Sequence, residues 1–143
     1  VLDLFAGTGC LGIEALSRGA EWALFVDRST QAVRLIRDNL QRCGYENSGE
    51  VLLRDLRRGL PRWLNGRGDL FDLVFMDPPY GKGMILPLLE DLREKGVLAP
   101  AAVVVTETSK LDPVPQDLGR LKRTKSRIHG ETKIDIYSYG EEI

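Results

Sequence analysis

The chain has 143 residues, with 20 Lys and Arg against 21 Asp and Glu and a formal net charge of -1. At 43% hydrophobic and 29% charged, this is an ordinary globular composition of single-domain length (1–143), which excludes disordered and fibrous classes. The balanced charge argues against a wholesale electrostatic binder of nucleic acid, and no apolar run approaches the roughly 20 residues of a membrane span.

Strand-like and helical patterns then alternate. Val1–Phe5 reads as a strand ending in a glycine-rich loop, and Cys10–Arg18 as a helix stopped by Gly19. The chain starts inside that first apolar run without a Met, as a fragment cut at its first element would. Trp22–Val26 is a second strand ending at Asp27. A helix capped by Ser29 or Thr30 is expected to run to about Cys43, with Ala32, Leu35, Ile36 and Leu40 as its apolar stripe. A third strand is expected over Val51–Arg54, ending at Asp55, and then a short helix near Leu60–Leu64 with Pro61 in its first turn. Phe71–Met76 is a fourth strand running into Asp77. A helix over Ile85–Lys95 and a fifth strand over Ala101–Val105 follow, and two late strands near Leu121–Ile128 and Lys133–Tyr139 read as an antiparallel hairpin turning at Gly130. The alternation predicts a doubly wound α/β domain of three α/β/α layers. Its Rossmann-like sheet is mostly parallel, with the antiparallel hairpin at the C-terminal edge.

In such a sheet, ligands bind beyond the carboxyl ends of the strands. Gly7, Gly9 and Gly12 spell G-x-G-x-x-G between a strand and a helix, with Asp27 about 20 residues on, which is a dinucleotide fingerprint. NAD, FAD and S-adenosylmethionine all satisfy it, and the bland alternative is a tight turn. Asp3 lies inside the first strand, where its carboxylate can face a ligand ammonium group such as that of S-adenosylmethionine but repels a pyrophosphate. Its alternative role is a helix cap or buried hydrogen-bond anchor.

Asp77-Pro78-Pro79-Tyr80 closes the fourth strand. A nucleobase amine is a poor nucleophile because its lone pair is delocalised into the ring. Two acceptors, the Asp77 carboxylate and the Pro78 carbonyl, can draw it toward a pyramidal geometry. The prolines stiffen the turn and remove competing N–H donors, and Tyr80 offers a stacking face for a flipped-out base. The alternative is a plain strand-stop signal.

Together, DLFAGTG, Asp27, Asp55 and DPPY resemble the Rossmann-like, S-adenosylmethionine-dependent N-methyltransferases. More narrowly, VLDLFAGTGCLGIEALSRGAEWALFVDRS is similar to the bacterial 16S rRNA (guanine(966)-N2)-methyltransferases, which methylate the exocyclic N2 of a guanine. The likeness continues through Asn39-Leu40, DPPY, the VVVTE run ending at Glu107 and the closing GETKIDIY. It implies that Asp3 and the loop Phe5, Ala6, Gly7, Thr8 and Gly9 hold the methionine part of S-adenosylmethionine. It also implies that Asp27, with Arg28 beside it, holds the ribose hydroxyls, and that Asp55 and Leu56 meet the adenine. Asp77, Pro78, Pro79 and Tyr80 would hold the target base. The expected partner is 16S rRNA or a small-subunit assembly particle. The expected protein is a cytoplasmic monomer with neither a metal nor a membrane association. The resemblance implies a basic segment ahead of the first strand, which this chain is expected to lack as a fragment, and His129 stands where the family tends to carry an aromatic residue.

Two basic stretches remain. In Arg120–His129, simple alternation places Leu121, Arg123, Lys125 and Arg127 on one face, and Lys122, Thr124, Ser126 and Ile128 on the other. Such an edge can contact phosphates or merely discourage edge pairing. Arg54, Arg57, Arg58, Arg62 and Arg67 read as a solvated surface. Cys10 is expected to pack beside the glycine loop. Cys10 and Cys43 fit neither a disulfide framework nor a zinc pattern, in keeping with a reducing compartment. Trp22 and Trp63 are expected to be packing residues. The competing functions are adenine-N6 methylation of DNA or RNA, an NAD-binding oxidoreductase and a non-catalytic cofactor-binding module.

Overall fold

The computed structural model describes residues 1–68 and 70–140. The chain divides into two compact units, Val1–Leu56 and Arg57–Ile143.

In the first unit, β1 (Leu2–Leu4), β2 (Ala23–Asp27) and β3 (Gly49–Leu53) run parallel in the order β3-β2-β1. The helices α1 (Cys10–Ser17) and α2 (Thr30–Arg42) make the crossovers. β2 is apolar from Ala23 to Val26, and all four residues are buried, as befits a central parallel strand. Phe25 points to the helical side and packs with Leu16, Ala23, Ile36 and Leu40. Ser29 caps α2 by accepting from the Ala32 N–H at 3.2 Å, a contact worth about 1 kcal/mol. The buried stripe of α2 is Val33, Ile36 and Leu40, and the expected Leu35 is exposed. A start at Thr30 sets this phase, since positions 33, 36 and 40 share a face at 3.6 residues per turn. β3 begins earlier than expected, because Gly49 brings its backbone close to Phe25 and Leu40.

Two short 3-10 turns, Leu56–Arg58 beginning at the last residue of the first unit and Arg62–Arg67 within the second, stand where one short helix was expected; Pro61 precedes the latter as its N-cap residue. β4 (Phe71–Met76) pairs in parallel with β5 (Leu98–Ser109), which pairs antiparallel with β8 (Thr132–Tyr139). β7 (Leu121–His129) and the two-residue β6 (Asp117–Leu118) complete the order β4-β5-β8-β7-β6. The parallel strands and the closing hairpin agree with the sequence reading. β5 is far longer than expected. It contains Pro100 and Ala101 (φ 63), and the β4–β5 register shifts between Phe71 and Leu73. This irregularity hid the start of the strand. The helix α3 (Ile85–Glu94) buries Ile85, Leu88, Leu89 and Leu92. No helix among the described residues is long and apolar enough to cross a membrane.

Candidate active site

The glycine loop is assembled from backbone donors and strand-end carboxylates. Phe5 (φ 60), Gly7 (φ 59) and Gly9 (φ 82) all adopt left-handed backbone, which turns the chain sharply between β1 and α1. For Phe5 this costs about 1–2 kcal/mol, a strain typical of ligand-binding turns. The Ala6 N–H donates to the Val26 carbonyl at 3.0 Å, and the Gly9 N–H to the Ala6 carbonyl at 2.8 Å. Asp27 then clasps the loop: one carboxylate oxygen accepts from the Gly7 N–H and the other from the Ser29 N–H, both at 2.9 Å. Four lone-pair sites on a carboxylate leave room for further donors.

Each glycine serves a different need. A Cβ at Gly7 would meet nothing within 4 Å, so glycine is needed there for its φ. A Cβ at Gly12 would stand 2.4 Å from the Phe25 ring, so glycine is needed there for the close approach of helix and strand. Asp3 is buried, and its carboxylate accepts from the Gly12 N–H at 3.1 Å. The anchoring role weighed for Asp3 is therefore present in the structure.

Gly7, Thr8 and Arg28 are exposed, Phe5, Ala6, Asp27 and Asp55 are half-buried, and Gly9 is buried against Ile36. Leu56 is buried and has little surface to offer a ligand. Cys10 is exposed rather than packed, and accepts from the Thr8 hydroxyl at 3.1 Å. Asn39, to which sequence reasoning gave no role, donates from α2 to the Thr8 carbonyl at 2.9 Å and so pins the tip of the loop. Its signal was the Asn39-Leu40 pair.

In the second unit, Asp77 stands one residue beyond the Met76–Thr106 pair of β4 and β5. Asp77 is exposed as a residue, yet partial burial of its carboxyl pushes it above the usual carboxylate range, and the nearby charge of Glu107 adds to the shift. Pro78 is buried, while Pro79 and Tyr80 are exposed. Tyr80 keeps 48% of its surface free, and its hydroxyl is hydrogen-bonded to that of Thr132 on β8 at 3.1 Å. The Gly81 N–H donates to the Asp112 carboxylate at 3.1 Å and fixes the exit of the turn. Glu107 and Thr132 were not expected as site residues, although each lies in a family-like motif. Trp63 is 47% exposed, with the rest of its surface covered. His129 ends β7 as an exposed residue. Among the described residues, no cluster of His, Cys, Asp or Glu is suited to holding a metal ion.

A parallel βαβαβ unit with a glycine loop after its first strand, acids at its strand ends and a D-P-P-Y turn after β4 define the class. The fold is Rossmann-like, the fold of solved structures described as S-adenosylmethionine-dependent methyltransferases, and the class is that of the methylases to which the chain is similar. The chain belongs to the family described as conserved hypothetical protein 95, whose model matches residues 1–138. It is 36% identical over 136 residues to YlbH of Bacillus subtilis, provisionally named an rRNA methyltransferase, covering 95% of this chain and 73% of that protein. It is 34% identical over 131 residues to ribosomal RNA small subunit methyltransferase D of Haemophilus influenzae, covering 89% of this chain and 66% of that one. The chain thus spans about two thirds to three quarters of the length of these relatives. A solved Streptococcus pyogenes structure, described as a conserved hypothetical protein, superposes with a TM-score of 0.86 at 37% identity, covering 98% of this chain and 84% of that one. The family resemblance read from the motifs holds along the chain.

Proposed function

We propose that this chain transfers a methyl group to the exocyclic N2 of a guanine in 16S rRNA. The observation that carries transfer to a nucleobase amine is the Asp77–Tyr80 turn: a strand-end carboxylate, a proline carbonyl and a tethered, half-exposed tyrosine ring. The turn serves guanine N2 and adenine N6 alike, and the family resemblance supports guanine. The names of the rRNA methyltransferases to which the chain is similar support an RNA substrate. Asp77 and the Pro78 carbonyl accept the two amine N–H bonds and localise the nitrogen lone pair, and Tyr80 stacks on the base.

The residues of the first unit fit S-adenosylmethionine. The loop at Gly7 is exposed, with open space where a side chain would stand. Asp27 and Asp55 are acceptors suited to ribose hydroxyls and an adenine amine, while buried Asp3 holds the base of the loop. When bound, S-adenosylmethionine supplies an electrophilic methyl group on a sulfonium. The chain's own task is alignment and electrostatics. As the new N–C bond forms, the amine becomes acidic, and Asp77 or water takes its proton.

The test is to incubate the protein with labelled cofactor and 16S rRNA or DNA, then digest the product to nucleosides. N2-methylguanosine is expected. N6-methyladenosine in its place overturns the guanine assignment.

A further inference from the structure

β7 is not a regular strand. Its register with β8 shifts between Arg123 and Lys125, so Thr124 is an extra residue that breaks the alternation. Leu121 and Arg123 pair with Tyr139 and Tyr137, after which Ser126 and Ile128 pair with Asp135 and Lys133. These four β7 residues therefore share one face. Lys125 and Arg127 pair with Ile136 and Ile134, and turn to the opposite face, which they share with Lys122. This corrects the face assignment drawn from simple alternation.

The opposite face has a specific address. Ile134 pairs with Glu107 on β5, and Glu107 lies beside Asp77 at the end of β4. One row across the sheet thus runs Asp77, Glu107, Ile134, Arg127. At strand spacings of about 4.8 Å, Arg127 lies about 14 Å from the Asp77 position, a distance of a few nucleotides. Tyr80 is tied to Thr132, two residues before Ile134 and on the same face of β8.

The cations of the hairpin are not equivalent. Arg123 pairs with Asp135 at 3.5 Å, Arg120 donates to the Gly140 carbonyl and lies 4.4 Å from the Tyr139 ring centroid, and the Lys133 ammonium donates to the Asp112 carbonyl. Lys122 reaches Asp117 only at 4.0 Å. Lys125 and Arg127 are exposed and make no ion pair with the described residues. Protection of an edge strand requires charge on either face. It does not explain why the uncommitted cations lie on the face of the Asp77 row.

We infer that the bulge at Thr124 aims Lys125 and Arg127 at the phosphates of the RNA strand flanking the target base, so that this strand tracks from Tyr80 across β8 to β7. The inference rests on the RNA-methylating reading above. Phosphate contacts position the strand without reading its sequence, and they make binding salt-dependent.

The test compares the full chain with two double variants, K125Q/R127Q and S126E/I128E. Each lowers the net charge by two at exposed positions of the same strand, on opposite faces, the first by removing two cations and the second by adding two anions. Affinity for a 16S rRNA fragment is read by fluorescence anisotropy at several salt concentrations, and methyl transfer to the same fragment by kcat and KM. K125Q/R127Q is expected to weaken binding and raise KM about tenfold, to keep kcat within about twofold, and to lower the salt slope by about one to two. S126E/I128E is expected to stay within about twofold of the parent in every respect. Equal losses in the two variants, or none in either, overturn the inference. So does a salt-independent affinity of the unaltered protein, which needs no variant to fold. Binding is read separately from transfer. An unaltered chain that methylates no guanine therefore counts against the proposed function, while the paired affinities still decide the phosphate path.

Discussion

Asp27 and Asp77 are both strand-end carboxylates, yet their surroundings are opposite. Both oxygens of Asp27 accept backbone N–H groups, from Gly7 and Ser29, so this acid organises the loop on which it sits. Asp77 takes no hydrogen bond from the described residues, and burial together with Glu107 makes its charged form costly. The first unit uses its acid to build a cradle. The second leaves its acid without a donor, and in the proposed function one N–H of the nucleobase amine fills that place while the Pro78 carbonyl takes the other. A preorganised acceptor of that kind is of most value in the transition state.

The largest expected effect comes from removing the waiting acid. Asp77→Ala should abolish methyl transfer in a labelled-cofactor assay, while S-adenosylhomocysteine affinity by calorimetry stays within about tenfold, or 1.4 kcal/mol. A surviving transfer rate would show that the acceptor pair is not at Asp77. In the first unit, Gly12→Ala should instead act on the fold. Its Cβ would stand 2.4 Å from the Phe25 ring, and such overpacking costs about 1–3 kcal/mol. A lower urea midpoint at unchanged m-value is the expected reading.

The contrast is also sharpened by pH. The raised pKa means that Asp77 holds its proton more tightly in the folded chain than in the unfolded one. Its contribution therefore favours folding below the unfolded pKa and is lost as pH rises through the folded pKa. In the proposed function, transfer needs the ionised form. The acid limb of kcat/KM should accordingly lie above the usual aspartate range, and Glu107→Gln should move that limb to lower pH. An unmoved limb would separate Glu107 from Asp77. The smallest effect is expected from Tyr80→Phe, which loses the bond to Thr132 but keeps the stacking ring. A drop of a few-fold in kcat/KM, matched by Thr132→Val, fits a hydrogen bond worth about 1 kcal/mol.

Much of this molecule was readable along the chain. Strand–helix alternation located every strand except β6, and the acids at Asp27, Asp55 and Asp77 were recognised by their place after apolar runs. These are local signals. What was missed depends on partners distant in sequence. Asn39 grips the Thr8 carbonyl from 31 residues away, and Thr132 meets Tyr80 from 52. Leu35 rather than Val33 was expected in the stripe because helical phase depends on where the capping residue stops.

Periodicity and glycine placement were sufficient by themselves to determine the α/β class, and the resemblance of the glycine loop and the D-P-P-Y turn pointed to the family. Hydrophobic pattern and backbone restriction are properties of neighbouring residues, and are written in their order. Only the tertiary structure decided that Asp3 is a buried anchor, that Asp27 is a clasp while Asp77 stays open, and that Lys125 and Arg127 share a face with the Asp77–Glu107 row. Burial, charge coupling and a register shift between strands arise from residues far apart in the chain, and they exist only once the sheet has formed.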